Sequence, residues 1–264
     1  MNSGIYMALH CLILAGSNVL VALLGCRRIR QPLGGLFRTT DFSGWKAFQY
    51  ICIGIGLQYV AVLIYAVLKY VGQGLGMEFP EVSFDYFQTG QSTMLVLLYT
   101  CILAPITEEL LFRGFLLKSL SVVSTRFGVI VTALLFGLMH GNVQQGILGV
   151  LVGLFLGKIV IRHNSLTPSI LVHIALNTSS TLISVLLALL PENIGNVAIL
   201  PLEFVVLALA VMGIAFWFGK ERKEPLPYPT QKQATRNRVF WSSPLLLLAF
   251  AALLGLMVYY AMAV

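Results

Sequence analysis

Long apolar runs parted by short polar connections recur along the whole chain. Several approach the ~20 apolar residues that an α-helix needs to cross a bilayer. The pattern predicts eight membrane segments, over residues 4–25, 47–68, 93–117, 127–140, 146–161, 166–190, 201–218 and 243–264. The fourth is short for a span, so it is expected to tilt, to extend into its flanks or to be shielded by neighbours. The expected fold class is therefore all-α: one polytopic membrane helical bundle of about eight transmembrane helices over residues 1–264. The polar stretch 220–240 carries Pro225, Pro227 and Pro229 and is expected to be an extended linker between the last two helices, not a soluble domain.

Composition agrees with this pattern. Hydrophobic residues make up 58% of the chain and charged residues 10%, against about a quarter charged in an ordinary soluble domain. So few charges cannot cover a water-facing surface. The net charge of +7 does not indicate nucleic acid, because the charges lie between apolar runs rather than along an amphipathic face or in an arm. Cys11, Cys26, Cys52 and Cys101 sit in or beside apolar segments and form no CxxC pair. They are expected to be small buried hydrophobes, with neither a disulfide framework nor a zinc knuckle.

Charge placement gives an orientation. Residues 1–10 hold no Lys or Arg, while Arg27, Arg28 and Arg30 follow the first apolar run. A secretory signal has the reverse order, so the first segment is expected to be an uncleaved helix with its N-terminus outside. Counting onward, alternate connections collect Arg27, Arg28, Arg30, Arg38, Lys46, Lys118, Arg126, Lys158, Arg162, Lys220, Arg222, Lys223, Lys232, Arg236 and Arg238. That is 15 of the 17 basic residues. Lys69 falls on the other side, together with the loop of Glu78, Glu81 and Asp85, and Arg113 lies within a span. The positive-inside rule then predicts both termini outside and four basic cytoplasmic connections.

Some punctuation is structural. Gly149, Gly153 and Gly157 form a small-residue stripe that admits a close helix neighbour. Thr167 and Pro168 are expected at the N-cap and first position of the sixth helix. Glu203, just after Pro201, suits the first turn of the seventh, where the helix dipole favours an anion.

Ionisable groups inside a membrane are costly and point to function. Three clusters stand out: Thr107-Glu108-Glu109-Leu110-Leu111-Phe112-Arg113, Phe136-Gly137-Leu138-Met139-His140, and His173-Ile174-Ala175-Leu176-Asn177. At about 1.5 Å per helical residue, Glu108 lies roughly 15 Å from Lys118, His140 roughly 21 Å from Arg126, and His173 roughly 8–15 Å from the start of its helix. The three segments can therefore present an acid, an imidazole and an imidazole-plus-amide at overlapping depths. Glu109 and Arg113 are spaced i, i+4 and can pair. Glu108 is turned about 100° away and can face a different neighbour. Pro105 removes a helical hydrogen bond just before it and predicts a kink. His173 and Asn177, also i, i+4, offer two donors in one direction if the imidazole carries its proton on the exposed nitrogen. A carboxylate with an imidazole can hold and deprotonate water, and two convergent donors can stabilise an oxyanion. That set permits amide hydrolysis; a polar network that only locks helices together uses the same residues.

The ordered set EExxxR, FxxxH and HxxxN on separate membrane helices resembles the three motifs of the CAAX prenyl endopeptidase and bacteriocin-processing (Abi) family, also called CPBP, whose members include intramembrane glutamic endopeptidases. The stretch 108–117, EELLFRGFLL, is similar to bacterial members, and the likeness covers residues 94–177 as a catalytic core. The resemblance implies an intramembrane peptidase with Glu108 as general base, His140 holding the same water, and His173 with Asn177 as the oxyanion hole. Glu109, Arg113 and Phe136 occupy the remaining motif positions as supporting residues, the first two as an ion pair. It implies a membrane-associated peptide or protein substrate in the lipid bilayer, and a bacterial cytoplasmic (inner) membrane with the site toward the cytoplasmic half. No cofactor is expected, since Asn177 is a poor zinc ligand and HExxH is absent; the alternative is a zinc held by Glu108, His140 and His173. Two further functions compete: a non-catalytic scaffold or bacteriocin-immunity protein, and a small transporter using the charges as a proton relay, for which no inverted repeat is evident.

Overall fold

The computed structural model describes residues 3–39, 41–77, 90–122, 124–190 and 199–221, with isolated positions at 197, 248, 250–252, 254 and 255. Seven helices carry the described fold: α1 (Ser3–Arg28), α2 (Gly44–Gly74), α3 (residues 90–121), α4 (Thr125–Leu138), α5 (Val143–His163), α6 (Thr167–Leu189) and α7 (Leu200–Phe216, continued by a π turn Trp217–Glu221). A 3-10 turn, Leu33–Leu36, lies between α1 and α2. No strand occurs among the described residues. Among the described residues, six helices are long and apolar enough to cross a bilayer: Ile5–Arg28, Gly44–Gly74, Thr93–Ser121, Val143–His163, Thr167–Leu186 and Leu200–Gly219; α4 is shorter. The chain is an integral membrane protein with a polytopic helical-bundle fold. The acidic loop of Glu78, Glu81 and Asp85, most of the segment 220–240, and most of the eighth span at 243–264 lie outside the described residues.

The helix ends follow from local chemistry. Ser43, Ser124 and Asn142 sit in extended conformation and accept from the backbone N–H of Lys46, Phe127 and Gln145, capping α2, α4 and α5. α5 stops at Asn164, a left-handed residue (φ 45°) whose side-chain oxygen also accepts from Lys118 Nζ at 2.6 Å. Thr167 is not the N-cap of α6. Leu166 takes that position, with Pro168 in the first turn. The Thr167 hydroxyl instead donates to the Phe37 carbonyl at 3.0 Å, and Ser165 Oγ accepts the Thr167 N–H. The loop between α1 and α2 supplies the competing partner, which local spacing could not show. Glu203 lies in the first turn of α7, behind Pro201.

Two glycine-mediated crossings set the bundle. On α5, Gly149, Gly153 and Gly157 face Gly137, Ala133 and Val129 of α4, so α4 and α5 lie almost backbone to backbone. On the other side α2 packs on α5 and α7 around Tyr50, Ile53, Ile55, Phe155, Leu156 and Ala210. Here a Cβ on Gly213 would overlap the Cys52 carbonyl oxygen, and a Cβ on Gly56 would stand 3.1 Å from the Ala210 carbonyl. Backbone cannot yield as a side-chain tip can. Gly213→Ala is therefore expected to cost about 1–3 kcal/mol or more by overpacking and to lower the detergent Tm. Gly219→Ala, with nothing within 4 Å, serves as the control. Equal Tm values for the two variants would contradict this crossing.

One end of the bundle gathers basic residues around Glu221. Glu221 receives Lys46 Nζ at 3.0 Å, Lys158 Nζ at 3.4 Å and Arg162, whose guanidinium contacts the same carboxylate. Lys158 also donates to the Glu221 carbonyl at 2.7 Å and lies 4.5 Å from the Trp217 ring centroid. The contacts tie the end of α7 to α2 and α5. Burial pushes the Glu221 carboxyl up, but the Lys46 hydrogen bond and the Arg162, Lys158 and Lys46 charges outweigh it and hold the group below the ordinary carboxylate value. A carboxyl lowered in the folded state stabilises above its unfolded pKa, and that stability is lost as pH falls through the folded pKa. Glu221→Gln is expected to lower Tm by roughly 5 °C at neutral pH, with the two proteins converging in acid. Parallel Tm curves from pH 7 to pH 3 would rule this out.

Candidate active site

α3 carries the first cluster and owes its shape to two register changes. It is π-helical over Tyr99–Leu103 and again over Leu110–Leu117, and α-helical over Ala104–Glu109 between them. Single-turn π insertions redirect side chains and are frequent at functional sites. The α-helical piece holds Pro105, Glu108 and Glu109. Glu108 is 8% exposed, and Glu109 and Arg113 are at 0%.

The Glu109–Arg113 pair is formed: Arg113 Nη1 lies 2.9 Å from Glu109 Oε1. Arg113 Nη2 donates to the Gly153 carbonyl of α5 at 3.3 Å, and its guanidinium carbon lies 4.4 Å from the Phe136 centroid. Gly153 thus does more than let α4 approach. A Cβ there would press the Ala133 Cα at 3.0 Å and Arg113 Nη2 at 3.3 Å. A desolvated guanidinium gains from the ring quadrupole, so Phe136 helps hold the charge inside the bundle.

His173 of α6 stands between the two acids. Its Nδ1 is 3.2 Å from Glu109 Oε1 and its Nε2 3.8 Å from Glu108 Oε2. Glu109 therefore touches both Arg113 and His173, and Glu108 faces the opposite nitrogen of the same ring. With Nδ1–H donated to the Glu109 carboxylate, Nε2 bears a lone pair in the neutral ring and donates only as imidazolium.

His140 lies beyond the end of α4, in the turn before Gly141 (φ 72°). The predicted segment 127–140 thus ends as a helix at Leu138. The consequence is chemical. The His140 backbone N–H bonds to Gly137, three residues back, which leaves the Phe136 carbonyl to the imidazole, with Nδ1 at 2.7 Å. A carbonyl only accepts, so Nδ1 carries the proton and Nε2 of the neutral ring is a base. Phe136 is the packing hub of the site, its ring 5.2 Å from Phe112, 5.1 Å from His140 and 5.6 Å from His173, centroid to centroid, all edge-on.

Asn177, one turn after His173, donates from Nδ2 to the Thr100 carbonyl of α3 at 2.9 Å. His173 and Asn177 each give one nitrogen to another partner, and what remains for a ligand is His173 Nε2 and the second amide hydrogen of Asn177. Direct contacts thus join Glu108, Glu109, Arg113, Phe136 and His173; His140 enters through Phe136, and Asn177 through the neighbouring backbone. Among the described residues no three His, Cys, Asp or Glu side chains are placed to hold a metal ion. Phe112, Gly153 and Thr100 also join the site, in roles that spacing did not assign, two of them through backbone carbonyls.

Compared with known protein families, residues 90–179 match the family described as type II CAAX prenyl endopeptidase Rce1-like. The match spans α3 to the first half of α6, the helices that carry all three clusters. No curated protein and no solved structure matches the chain.

Proposed function

We propose that the chain, whose residues 90–179 match the Rce1-like type II CAAX prenyl endopeptidase family, is an intramembrane endopeptidase cutting a membrane-associated peptide or protein. The observation that carries the reading is the buried chain Glu108–His173–Glu109–Arg113, with Glu108 at its open end. Glu108 takes a proton from a water that His140 Nε2 also holds, the hydroxide adds to the scissile carbonyl, and Glu108 returns the proton to the amide nitrogen as the C–N bond breaks and the amine leaves. His173, as imidazolium donating from Nε2, and the free Asn177 amide hydrogen hold the oxygen that becomes negative. Glu109, fixed by Arg113, keeps His173 Nδ1 protonated and the ring in place. No step runs through a metal, and cleavage is expected to persist in chelator.

The basic end around Glu221 faces the cytoplasm in this reading, following the positive-inside rule, in a bacterial inner membrane with the site in its cytoplasmic half. The test is substrate capture. Membrane peptides from cells carrying the protein are compared with those from cells carrying Glu108→Ala. Fragments that accumulate only with the intact protein support the peptidase; identical profiles, with an unchanged phenotype in the variant, point to a scaffold or immunity role.

A further inference from the structure

The bond from Asn177 to Thr100 has a cause in the covalent structure of α3. In the π register the Ala104 N–H bonds to the Tyr99 carbonyl, five residues back. The next donor in that register would be residue 105, for the Thr100 carbonyl. Residue 105 is proline and has no N–H. The Thr100 carbonyl is therefore orphaned in a segment that spans the membrane, where no water can satisfy it and another donor must reach it. The Asn177 side chain supplies that donor at 2.9 Å. Glu108 follows Pro105 by three residues, and His173 precedes Asn177 by one helical turn. The two ends of this one hydrogen bond are thus anchored beside the two groups that face each other at 3.8 Å.

We propose that Asn177 is a positioning residue: it caps the Thr100 carbonyl that Pro105 leaves open, and so fixes the turn bearing Glu108 against the helix bearing His173. This rests on the reading of Glu108 and His173 as reacting groups. It differs from an oxyanion role in its dependence on Pro105. Alanine at 105 restores an N–H to α3 and makes the Asn177 donor redundant for capping, while leaving an oxyanion donor as necessary as before.

The experiment is a double-mutant cycle of Pro105→Ala and Asn177→Ala on the full chain in detergent, read by Tm and by kcat and KM on a quenched membrane peptide. Asn177→Ala is expected to lower Tm and to reduce kcat about 100-fold with KM little changed, the scale of a displacement of about 1 Å. In the double variant Tm returns toward wild type and kcat recovers at least about tenfold, the remaining deficit being direct donation to the oxyanion. If Asn177→Ala does not fold, recovery of folded protein in the double variant is the supporting result. A double variant with neither Tm nor kcat restored overturns the capping role. Restored Tm with kcat still at the single-variant level overturns the positioning role. Should wild type cleave nothing, the peptidase reading fails separately. The proposal is then decided by Tm and by the distance between spin labels on exposed Met94 and Leu182, which broadens in Asn177→Ala and sharpens in the double variant.

Discussion

Glu108→Gln is expected to leave the protein folded and to lower kcat by about 10²- to 10⁴-fold, the range for loss of a general base. The fold should survive because the Glu108 carboxylate carries little of the architecture. It lies 3.8 Å from His173 Nε2, a separation beyond a hydrogen bond, and the pairing that holds α3 belongs to Glu109. Glutamine keeps the volume and takes no charge into the bundle, so a Tm within a few degrees of wild type is expected. The rate should fall because an amide cannot accept the proton of an attacking water. Because the substitution acts at the chemical step, kcat and kcat/KM should fall together while KM stays close to wild type. A variant that is folded and turns over within threefold of wild type would falsify Glu108 as the base.

How much of this was legible in the sequence depends on how local each contact is. The Glu109–Arg113 pair was legible, because i, i+4 spacing on a helix puts two side chains on one face whatever else surrounds them. Overlapping depth made a meeting of α3 and α6 possible, since membrane helices share an axis direction and a fixed rise, but only the fold shows that the two helices pack together. The glycine stripe of α5 announced a close neighbour, and α4 is that neighbour. What failed to show was every contact made by a backbone carbonyl. The Gly153 oxygen takes Arg113, the Phe136 oxygen takes the His140 ring, and the Thr100 oxygen takes Asn177. Every residue has such an oxygen, so the sequence marks none of them; only a broken register makes one available. The Glu221 cluster was hidden for another reason. Its partners Lys46, Lys158 and Arg162 lie 59 to 175 residues away, and as sequence they counted only as topology charges. The direction of the His173 ring was hidden too. Spacing offered the nitrogen pair, whereas the second acid engages Nδ1 and so turns Nε2 toward Glu108.

That second acid makes Arg113 the residue on which the fold of the site depends most heavily. Arg113→Ala removes the partner at 2.9 Å from a carboxylate with 0% exposure, and with it the guanidinium over Phe136 and the donor to Gly153. Breaking a buried pair from one side costs about 3–5 kcal/mol, since the remaining charge is stranded without water. The total stability of a domain is only about 5–15 kcal/mol. The expected result is poor yield of folded protein and a Tm lowered by about 10 °C or more. Removing both charges separates fold from chemistry. Glu109→Met with Arg113→Met leaves no stranded ion, and well-packed apolar replacements of buried pairs are often neutral for stability. The double variant should therefore recover most of the Tm lost by Arg113→Ala. It should still not recover activity, because His173 Nδ1 would lose the carboxylate that keeps it protonated and its ring in place. Recovery of Tm and kcat together would mean that the pair serves only to bury its own charges. Recovery of Tm with kcat at least about a hundredfold down is the signature of a pair that acts on the reaction through the imidazole.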